Sequence, residues 1–188
     1  MRIISGTAGK RTLQVPKAVT RPSTDRLREA LFSILSHRME GARVLDLFAG
    51  SGALGLECLS RGAKSCDFVD DSREAGRVIR RNLKSLGLQG GSMNERDVFG
   101  FLRGGVGPYD LVFADPPYYQ SRGDRDFIAE LLQHETLPQM VAEDALLVLE
   151  DPPANRRDGL EEGTCWSLLD RRKYGSCGIL FYQRVLNP

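Results

Sequence analysis

The feature that most constrains the fold is an alternation of short apolar runs with amphipathic stretches, which begins at residue 43. The apolar runs contain few polar residues, so they predict strands that are buried on both faces. The stretches between them repeat apolar residues at helical spacing. Strands and helices in turn predict an α/β domain, in which helices cover both faces of a parallel sheet.

The predicted elements follow one another with no linker and no internal repeat. Strands are expected at residues 44–48, 67–69, 92–96, 110–114, 145–150, 165–169 and 178–184. Helices are expected after a cap at Ser23 or Thr24, and at residues 53–61, 73–86, 98–102 and 127–132. The segments 2–5 and 11–15 flank two glycines and predict a β-hairpin or extended arm. The division is therefore an N-terminal arm over residues 1–20 and one domain over residues 21–188.

A glycine-rich loop follows the first strand of this α/β body. Gly50, Gly52 and Gly55 spell G-x-G-x-x-G, and Asp70 ends the next strand about twenty residues later. A nicotinamide oxidoreductase is therefore one alternative. Asp46 disfavours it, because a carboxylate four residues before the first glycine is poorly placed beside a pyrophosphate. The same carboxylate suits the cationic amino-acid portion of S-adenosylmethionine.

The fourth predicted strand is followed by Asp115, Pro116, Pro117 and Tyr118. An exocyclic amine of a nucleobase is a poor nucleophile, because its lone pair is delocalised into the ring. Two acceptors that hold both N–H bonds favour the pyramidal amine, and the Asp115 carboxylate and Pro116 carbonyl provide such a pair. The two prolines fix the backbone, and the ring of Tyr118 offers a face for stacking an extruded base. The tetrapeptide thus predicts methyl transfer to an amine.

Asp-Pro-Pro is also a simple turn, and the chain contains a second copy as an internal control. Asp151, Pro152 and Pro153 follow the fifth predicted strand, and Ala154, which cannot stack, comes next. The tripeptide alone is therefore weak support for a catalytic site. The argument depends on the tyrosine, on the position after the fourth strand and on the glycine loop upstream.

Charge is distributed unevenly along the chain. Residues 1–38 hold eight basic and two acidic side chains, a net charge of +6, so the remaining residues carry −5 of the total of +1. A basic segment on a mildly acidic body is typical of a contact with a phosphate backbone, although a solvated surface arm would have the same charge. The four cysteines, Cys58, Cys66, Cys165 and Cys177, have no zinc spacing. No metal site, signal peptide or membrane span is expected.

The glycine loop resembles the first motif of class I methyltransferases, D-x-F-x-G-x-G. This resemblance implies S-adenosyl-L-methionine as cofactor, with S-adenosyl-L-homocysteine as product. It also implies a set of cofactor-binding residues on the loop and the next two strand ends. In this chain they are Asp46, Phe48, Gly50, Ser51, Gly52, Asp70 or Asp71 at the ribose, and Asp97 with Val98 near the adenine. A strand-end turn is the alternative role for Asp70 and Asp97.

The N-terminal half narrows the resemblance further. The runs at residues 2–6 (Arg-Ile-Ile-Ser-Gly), 21–32 (Arg-Pro-Ser-Thr-Asp-Arg-Leu-Arg-Glu-Ala-Leu-Phe) and 46–61, with 172–175 in the tail, resemble the RsmD family. That family methylates the N2 amine of a guanine in 16S rRNA. The resemblance covers nearly the whole chain. It implies a seven-stranded fold, a cytoplasmic monomer and a substrate within an assembling small ribosomal subunit.

The resemblance also gives the basic arm a role as an RNA-binding segment. The expected RNA contacts are Arg2, Lys10, Arg11, Arg21, Arg26 and Arg28. Solvation on a helix surface, or an ion pair of Arg28 with a nearby carboxylate, is the alternative.

Two further functions compete with an RNA guanine-N2 methyltransferase. A DNA amino-methyltransferase would share the chemistry, but 188 residues leave no room for a separate target-recognition domain. A non-catalytic RNA-binding module would explain the arm but not residues 115–118.

Overall fold

The computed structural model describes residues 1–17, 24–118, 123–152 and 159–185. The chain forms two compact units, Met1–Phe101 and Leu102–Pro188. Their described residues contain the seven strands of a mixed sheet with helices. The expected α/β fold class is thereby confirmed.

The first unit contains three parallel strands, in the order β3-β2-β1. These strands are β1 (Arg43–Leu47), β2 (Ser65–Asp70) and β3 (Gly91–Glu95). The helices are α1 (Asp25–Ile34), α2 (Ala53–Ser60) and α3 (Arg73–Leu86), with a 3-10 turn at Ser36–Arg38. Helix α4 (Val98–Leu102) follows, and its last residue belongs to the second unit. The positions agree with the predictions to within a few residues.

Capping residues explain where α1 and α3 begin and end. The Thr24 side chain accepts the backbone N–H of Leu27, which caps α1; the alternative cap, Ser23, lies outside the described residues. Ser72 caps α3 in the same way. Gly87 ends α3 in the left-handed region, with φ of 69°.

The N-terminal arm is a hairpin that packs on α2. The backbone N–H of Ile3 donates to the carbonyl of Arg11 at 2.9 Å. The buried carboxylate of Glu57, in the middle of α2, accepts the backbone N–H groups of Ile4 and Ser5 at 2.7 and 3.0 Å. These charge-assisted bonds hold the arm on α2. The sequence left a β-hairpin and an extended arm open, and the antiparallel bridge between Arg2 and Thr12 shows the hairpin.

The second unit contains four strands, in the order β4-β5-β7-β6. They are β4 (Tyr109–Ala114), β5 (Val141–Asp151), β6 (Trp166–Tyr174) and β7 (Cys177–Arg184). Helix α5 (Phe127–Leu132) and a 3-10 turn at Leu137–Met140 precede β5.

The last two strands correct the expectation of a parallel sheet. Strand β5 is parallel to β4, whereas β7 is antiparallel to both β5 and β6. The reason is the connection between β6 and β7, where Tyr174 pairs directly with Cys177. Only Gly175, with φ of 63°, and Ser176 lie between them. A two-residue turn permits only an antiparallel pair, because parallel strands need a crossover of a dozen or more residues.

Candidate active site

The glycine loop after β1 is built from backbone conformations that are rare for ordinary residues. Phe48, Gly50 and Gly52 have φ of 56°, 53° and 74°. For phenylalanine this left-handed conformation costs on the order of 1–3 kcal/mol, and such strain concentrates at ligand clamps. A side chain on Gly52 would also collide with Ile79, since an added Cβ would lie 2.8 Å from that side chain. The loop therefore requires the glycine at this position.

Asp46 is buried under this loop. Its carboxylate is 3% exposed and accepts the backbone N–H of Gly55, in α2, at 3.0 Å. Burial raises the pKa of Asp46 to about 7, the hydrogen bond from Gly55 opposes the rise, and the negative charge of Asp70 adds to it. A cation beside Asp46 would favour its ionised form. The group thus has the electrostatic properties of a site for a positively charged ligand.

Asp70 connects the loop to the end of β2. One carboxylate oxygen accepts the N–H of Gly50 at 2.8 Å, and the other accepts the N–H of Ser72 at 2.9 Å. Asp71 is exposed. Of the two carboxylates left open for the ribose, Asp70 is the one that contacts the glycine loop. Asp46, Gly50 and Asp70 form one cluster within the first unit.

The remaining predicted cofactor residues lie on α4 and on the loop. Asp97 is exposed, and its carboxylate accepts the N–H of Gly100 at 2.7 Å at the start of α4. Val98 is buried. Ser51 is also buried, with its hydroxyl 3.5 Å from the sulfur of Met1. Asp97 therefore stabilises the turn into α4, the alternative role that the sequence left open, and its carboxylate remains accessible.

In the second unit, residues 115–118 follow β4, and Pro116, Pro117 and Tyr118 line a small cavity. Pro116 is buried, Pro117 is exposed, and Asp115 and Tyr118 are half-buried. The hydroxyl of Tyr118 donates to the carboxylate of Glu150, at the end of β5, at 3.1 Å. Burial raises the pKa of the Tyr118 hydroxyl, and the charges of Glu150 and Asp115 raise it further. The hydrogen bond to Glu150 thus holds the Tyr118 ring in place, and the hydroxyl stays in its neutral form.

The second Asp-Pro-Pro copy lies in a different environment. Asp151 is the last residue of β5, pairs with Gly178 of β7 and is 4% exposed. Pro153 and Ala154 lie outside the described residues. Asp151 also lines the cavity beside residues 116–118, so the two copies meet at one cavity.

Some of the predicted RNA-binding cations are only exposed to solvent, and others also contact groups within the protein. Lys10 and Arg26 are exposed, whereas Arg21 lies outside the described residues. The side chain of Arg2 is 60% exposed and pairs with Asp25 at 2.9 Å. Arg11 donates to the carbonyl of Leu86 at 2.9 Å and to that of Ser85, at the end of α3. Arg11 therefore stabilises a helix C-terminus, where positive charge is favourable.

Arg28 corrects the expectation of an RNA contact. Its side chain is 1% exposed, and it donates to the Arg2 carbonyl at 2.6 Å and to Asp25 at 2.8 Å. Burial lowers the pKa of Arg28, and the neighbouring carboxylates oppose that shift. A buried guanidinium cannot reach an RNA phosphate from this position. The structure agrees with the alternative, an ion pair with a nearby carboxylate.

Sequence reasoning missed two carboxylates that hold other groups in position, Glu57 and Glu150. Glu57 is a lone charge in the otherwise apolar α2, a pattern that indicates a buried partner. Glu150 had no such signal, because a carboxylate at a strand end is common. Among the described residues, no group of three histidine, cysteine, aspartate or glutamate side chains is placed to hold a metal ion. The described helices are also too short or too polar to cross a membrane.

The class I methyltransferase fold is defined here by three features. They are the seven strands of the sheet, the glycine loop after β1 and the Asp115 segment after β4. The solved structure of the Escherichia coli protein yhhF matches with a TM-score of 0.83 and 34% identity over 98% of both chains. The chain belongs to the family described as conserved hypothetical protein 95, which matches residues 1–183.

Ribosomal RNA small subunit methyltransferase D of Escherichia coli K12 is 34% identical over 185 residues, 98% of this chain and 90% of that protein. The resemblance to the RsmD family is thereby confirmed. A more distant structure, solved as a complex with SAH, has a TM-score of 0.66 and 14% identity over 83% of this chain and 49% of that one. At that identity the likeness supports the fold alone.

Proposed function

We propose that this chain transfers a methyl group from S-adenosylmethionine to the exocyclic N2 amine of a guanine in 16S rRNA. The observation that carries the proposal is the Asp-Pro-Pro-Tyr turn after β4, in a family whose relatives include a ribosomal RNA methyltransferase. A DNA or other RNA amino-methyltransferase with the same chemistry is the alternative.

The first unit supplies residues that fit the cofactor. The buried Asp46 suits the ammonium of its amino-acid portion, and Asp70 suits the ribose hydroxyls. Phe48, Ser51 and the loop glycines form the turn above them, and Asp97 and Val98 suit the adenine. When bound, the cofactor supplies an electrophilic methyl group.

The second unit supplies the residues that act on the base. The Asp115 carboxylate and the Pro116 carbonyl accept the two N–H bonds of the amine, which directs the nitrogen lone pair away from the ring. Tyr118 stacks on the base. Because methylation leaves one proton too many on the nitrogen, the Asp115 carboxylate is the group that takes it. Most of the rate enhancement then comes from positioning.

The pH dependence of cofactor affinity tests the role of Asp46. Below pH 7 the carboxylate is protonated in the free protein, and binding an ammonium beside it requires release of that proton. The Kd for S-adenosylmethionine is therefore expected to rise by up to about tenfold per pH unit below 7. Asp46→Asn should flatten the profile, and Asp71→Asn, at an exposed position, should not. A wild-type profile as flat as that of Asp46→Asn would remove Asp46 from the cofactor site.

The reaction is tested with labelled S-adenosylmethionine and four acceptors: free 16S rRNA, unmodified small subunits, duplex DNA and bulk protein. We expect label in N2-methylguanosine of the ribosomal acceptors, identified by mass spectrometry. A preference for small subunits over free rRNA would support an assembling particle as substrate. Label in DNA or protein would keep the amine chemistry and discard the rRNA substrate. No label in any acceptor, with cofactor binding intact, would overturn the proposal.

We also propose that the protein acts as a cytoplasmic monomer without a metal, and that residues 1–20 are an RNA-binding arm on a domain over residues 21–188. Sedimentation at working concentration tests whether the protein is a monomer. Activity in the presence of a chelator tests whether it works without a metal. Deletion of residues 1–20 should weaken RNA binding in a salt-dependent way. Unchanged affinity would leave the arm with a structural role only.

A further inference from the structure

One face of α3 is strongly basic. The helix carries five basic side chains and one acidic one, a net charge of +4 in a chain whose total is +1. All five cations are exposed: Arg73, Arg77, Arg80, Arg81 and Lys84. At 3.6 residues per turn they lie within an arc of about 100° and along about 16 Å of the helix axis. The opposite side packs into the unit through Ala75, Ile79 and Asn82.

This arrangement of like charges destabilises the helix, so solvation of its surface alone does not explain it. Arg77 has a like charge four residues before it and another four residues after it, and such pairs destabilise a helix. Arg73 lies in the first turn, where the helix dipole disfavours positive charge. In the part of the chain that the structure describes, a carboxylate pairs with Arg80, namely that of Glu95. Among the described residues, no carboxylate lies within ion-pair distance of Arg73, Arg77, Arg81 or Lys84.

The N-terminal arm runs along the same helix and adds to its charge. Arg11 binds the last carbonyls of α3, and the backbone of Gln14 exchanges two hydrogen bonds of 3.0 Å with the buried Asn82 side chain. The backbone N–H of Lys17 donates to Glu74, in the first turn, at 3.1 Å. Glu74 is the one acidic residue of α3, and its carboxylate is engaged by the arm. The arm thus follows the helix over its whole length.

We propose that Arg73, Arg77, Arg81 and Lys84 form an RNA-binding face that holds the phosphate backbone of the substrate. The inference rests on the proposed function for the identity of the RNA. The face extends the arm, because Lys10, Arg11 and Lys17 flank the helix. Cations about 6 Å apart along the axis present a row of charges to a strand. Affinity should depend on salt and not on sequence, as phosphate contacts do.

The test is the salt dependence of binding to a 16S rRNA transcript, measured for the triple variant Arg77→Gln/Arg81→Gln/Lys84→Gln. Glutamine has a helix propensity close to that of arginine and lysine, so α3 should persist. If each cation meets one phosphate, the slope of log K against log salt falls by about 2, from about 0.7 per contact. At about 0.1 M salt this corresponds to an affinity loss of up to about 100-fold.

The matched control is Lys64→Gln/Arg103→Gln/Lys173→Gln, which removes the same charge from exposed positions outside this face. A slope near that of the wild type is expected for the control. Equal slopes for the triple variant and the wild type, or equal losses in the triple variant and the control, would overturn the proposal.

Methyl transfer by the wild-type protein and cofactor binding by every variant are measured separately. A wild-type protein that binds the transcript but methylates none of the four acceptors would refute the proposed function, and the slopes would still decide the RNA-binding face. If the wild type transfers methyl groups and the triple variant keeps the wild-type slope, only the proposal of the RNA-binding face is refuted.

Discussion

The two Asp-Pro-Pro segments have the same composition but different surroundings. Asp115 follows β4 in a loop and is half-buried, three residues before Tyr118. Asp151 is itself the last residue of β5, paired with Gly178 and 4% exposed. A carboxylate inside a sheet ladder has its position set by the strand. Asp115 lies outside the sheet and is more exposed, although Asp151 is the one of the two aspartates that lines the cavity. The same three residues therefore lie in different surroundings, and we expect them to have different functions.

The two segments also interact. Glu150 directly precedes Asp151, and it accepts the hydroxyl of Tyr118. The strand that ends in the second copy thus holds the ring of the first copy in place. We therefore expect Glu150, the residue before the second copy, to contribute to the site by positioning the ring.

The largest expected effect separates the two aspartates. Asp115→Ala removes one of the two acceptors for the amine, and we expect the rate of methyl transfer to fall by about 10²–10³-fold with cofactor affinity unchanged. Asp151→Ala should instead lower the Tm by several degrees, because it removes a buried polar group and its interactions. Single-turnover kinetics and thermal unfolding of both variants check this. Similar losses of rate in the two variants would show that the copies do not differ in function.

Tyr118 gives the next largest effect. Tyr118→Ala removes the stacking surface that distinguishes the two copies, and base stacking contributes about 1–3 kcal/mol, so the rate should fall by roughly 10–100-fold. Tyr118→Phe keeps the ring but loses the hydrogen bond to Glu150, so the rate should fall only several-fold. The measurement is kcat and KM for the RNA substrate. Equal losses in both variants would assign the role to the hydroxyl and not to the ring.

Much of the fold was predictable because helix and strand periods are local properties of the chain. The helices at Val98–Leu102 and Phe127–Leu132 were placed at their observed bounds, since each is a compact apolar stretch. The direction of β7 was not predictable, because it depends on the turn at Gly175. Local pattern indicates that a strand exists, but pairing depends on the connection.

The candidate site was predictable where one segment carries the chemistry, and less so where distant residues meet. The glycine loop lies where the motif placed it, after β1, and Asp70 contacts it. The burial of Arg28 was not readable from charge, because it depends on Asp25 and on the carbonyl of Arg2. Glu150 was missed for the same reason, since 32 residues separate it from Tyr118.

Glu150 should have a smaller effect than Tyr118, because it acts through the ring. Glu150→Ala removes the acceptor for the Tyr118 hydroxyl, and we expect a several-fold loss of methyl transfer, mainly in KM. Glu150→Gln keeps an acceptor and should restore much of it. In a double-mutant cycle, Tyr118→Phe should abolish the effect of Glu150→Ala. Additive losses in that cycle would show that Glu150 acts independently of the Tyr118 hydroxyl.

The smallest expected effect concerns pH. Burial and the charges of Glu150 and Asp115 raise the pKa of Tyr118, so the hydroxyl stays protonated in the folded protein above the pH at which a free tyrosine ionises. The unfolded chain releases this proton near pH 10, so the contribution of Tyr118 to stability is complete below pH 10 and declines above it. The ratio of wild-type to Tyr118→Phe activity should thus be constant from pH 7 to about 10. Above that range, wild-type stability should fall more steeply than that of Tyr118→Phe in thermal unfolding. A ratio that changes below pH 10 would mean that the hydroxyl titrates during catalysis, and that Tyr118 does more than hold a base in place.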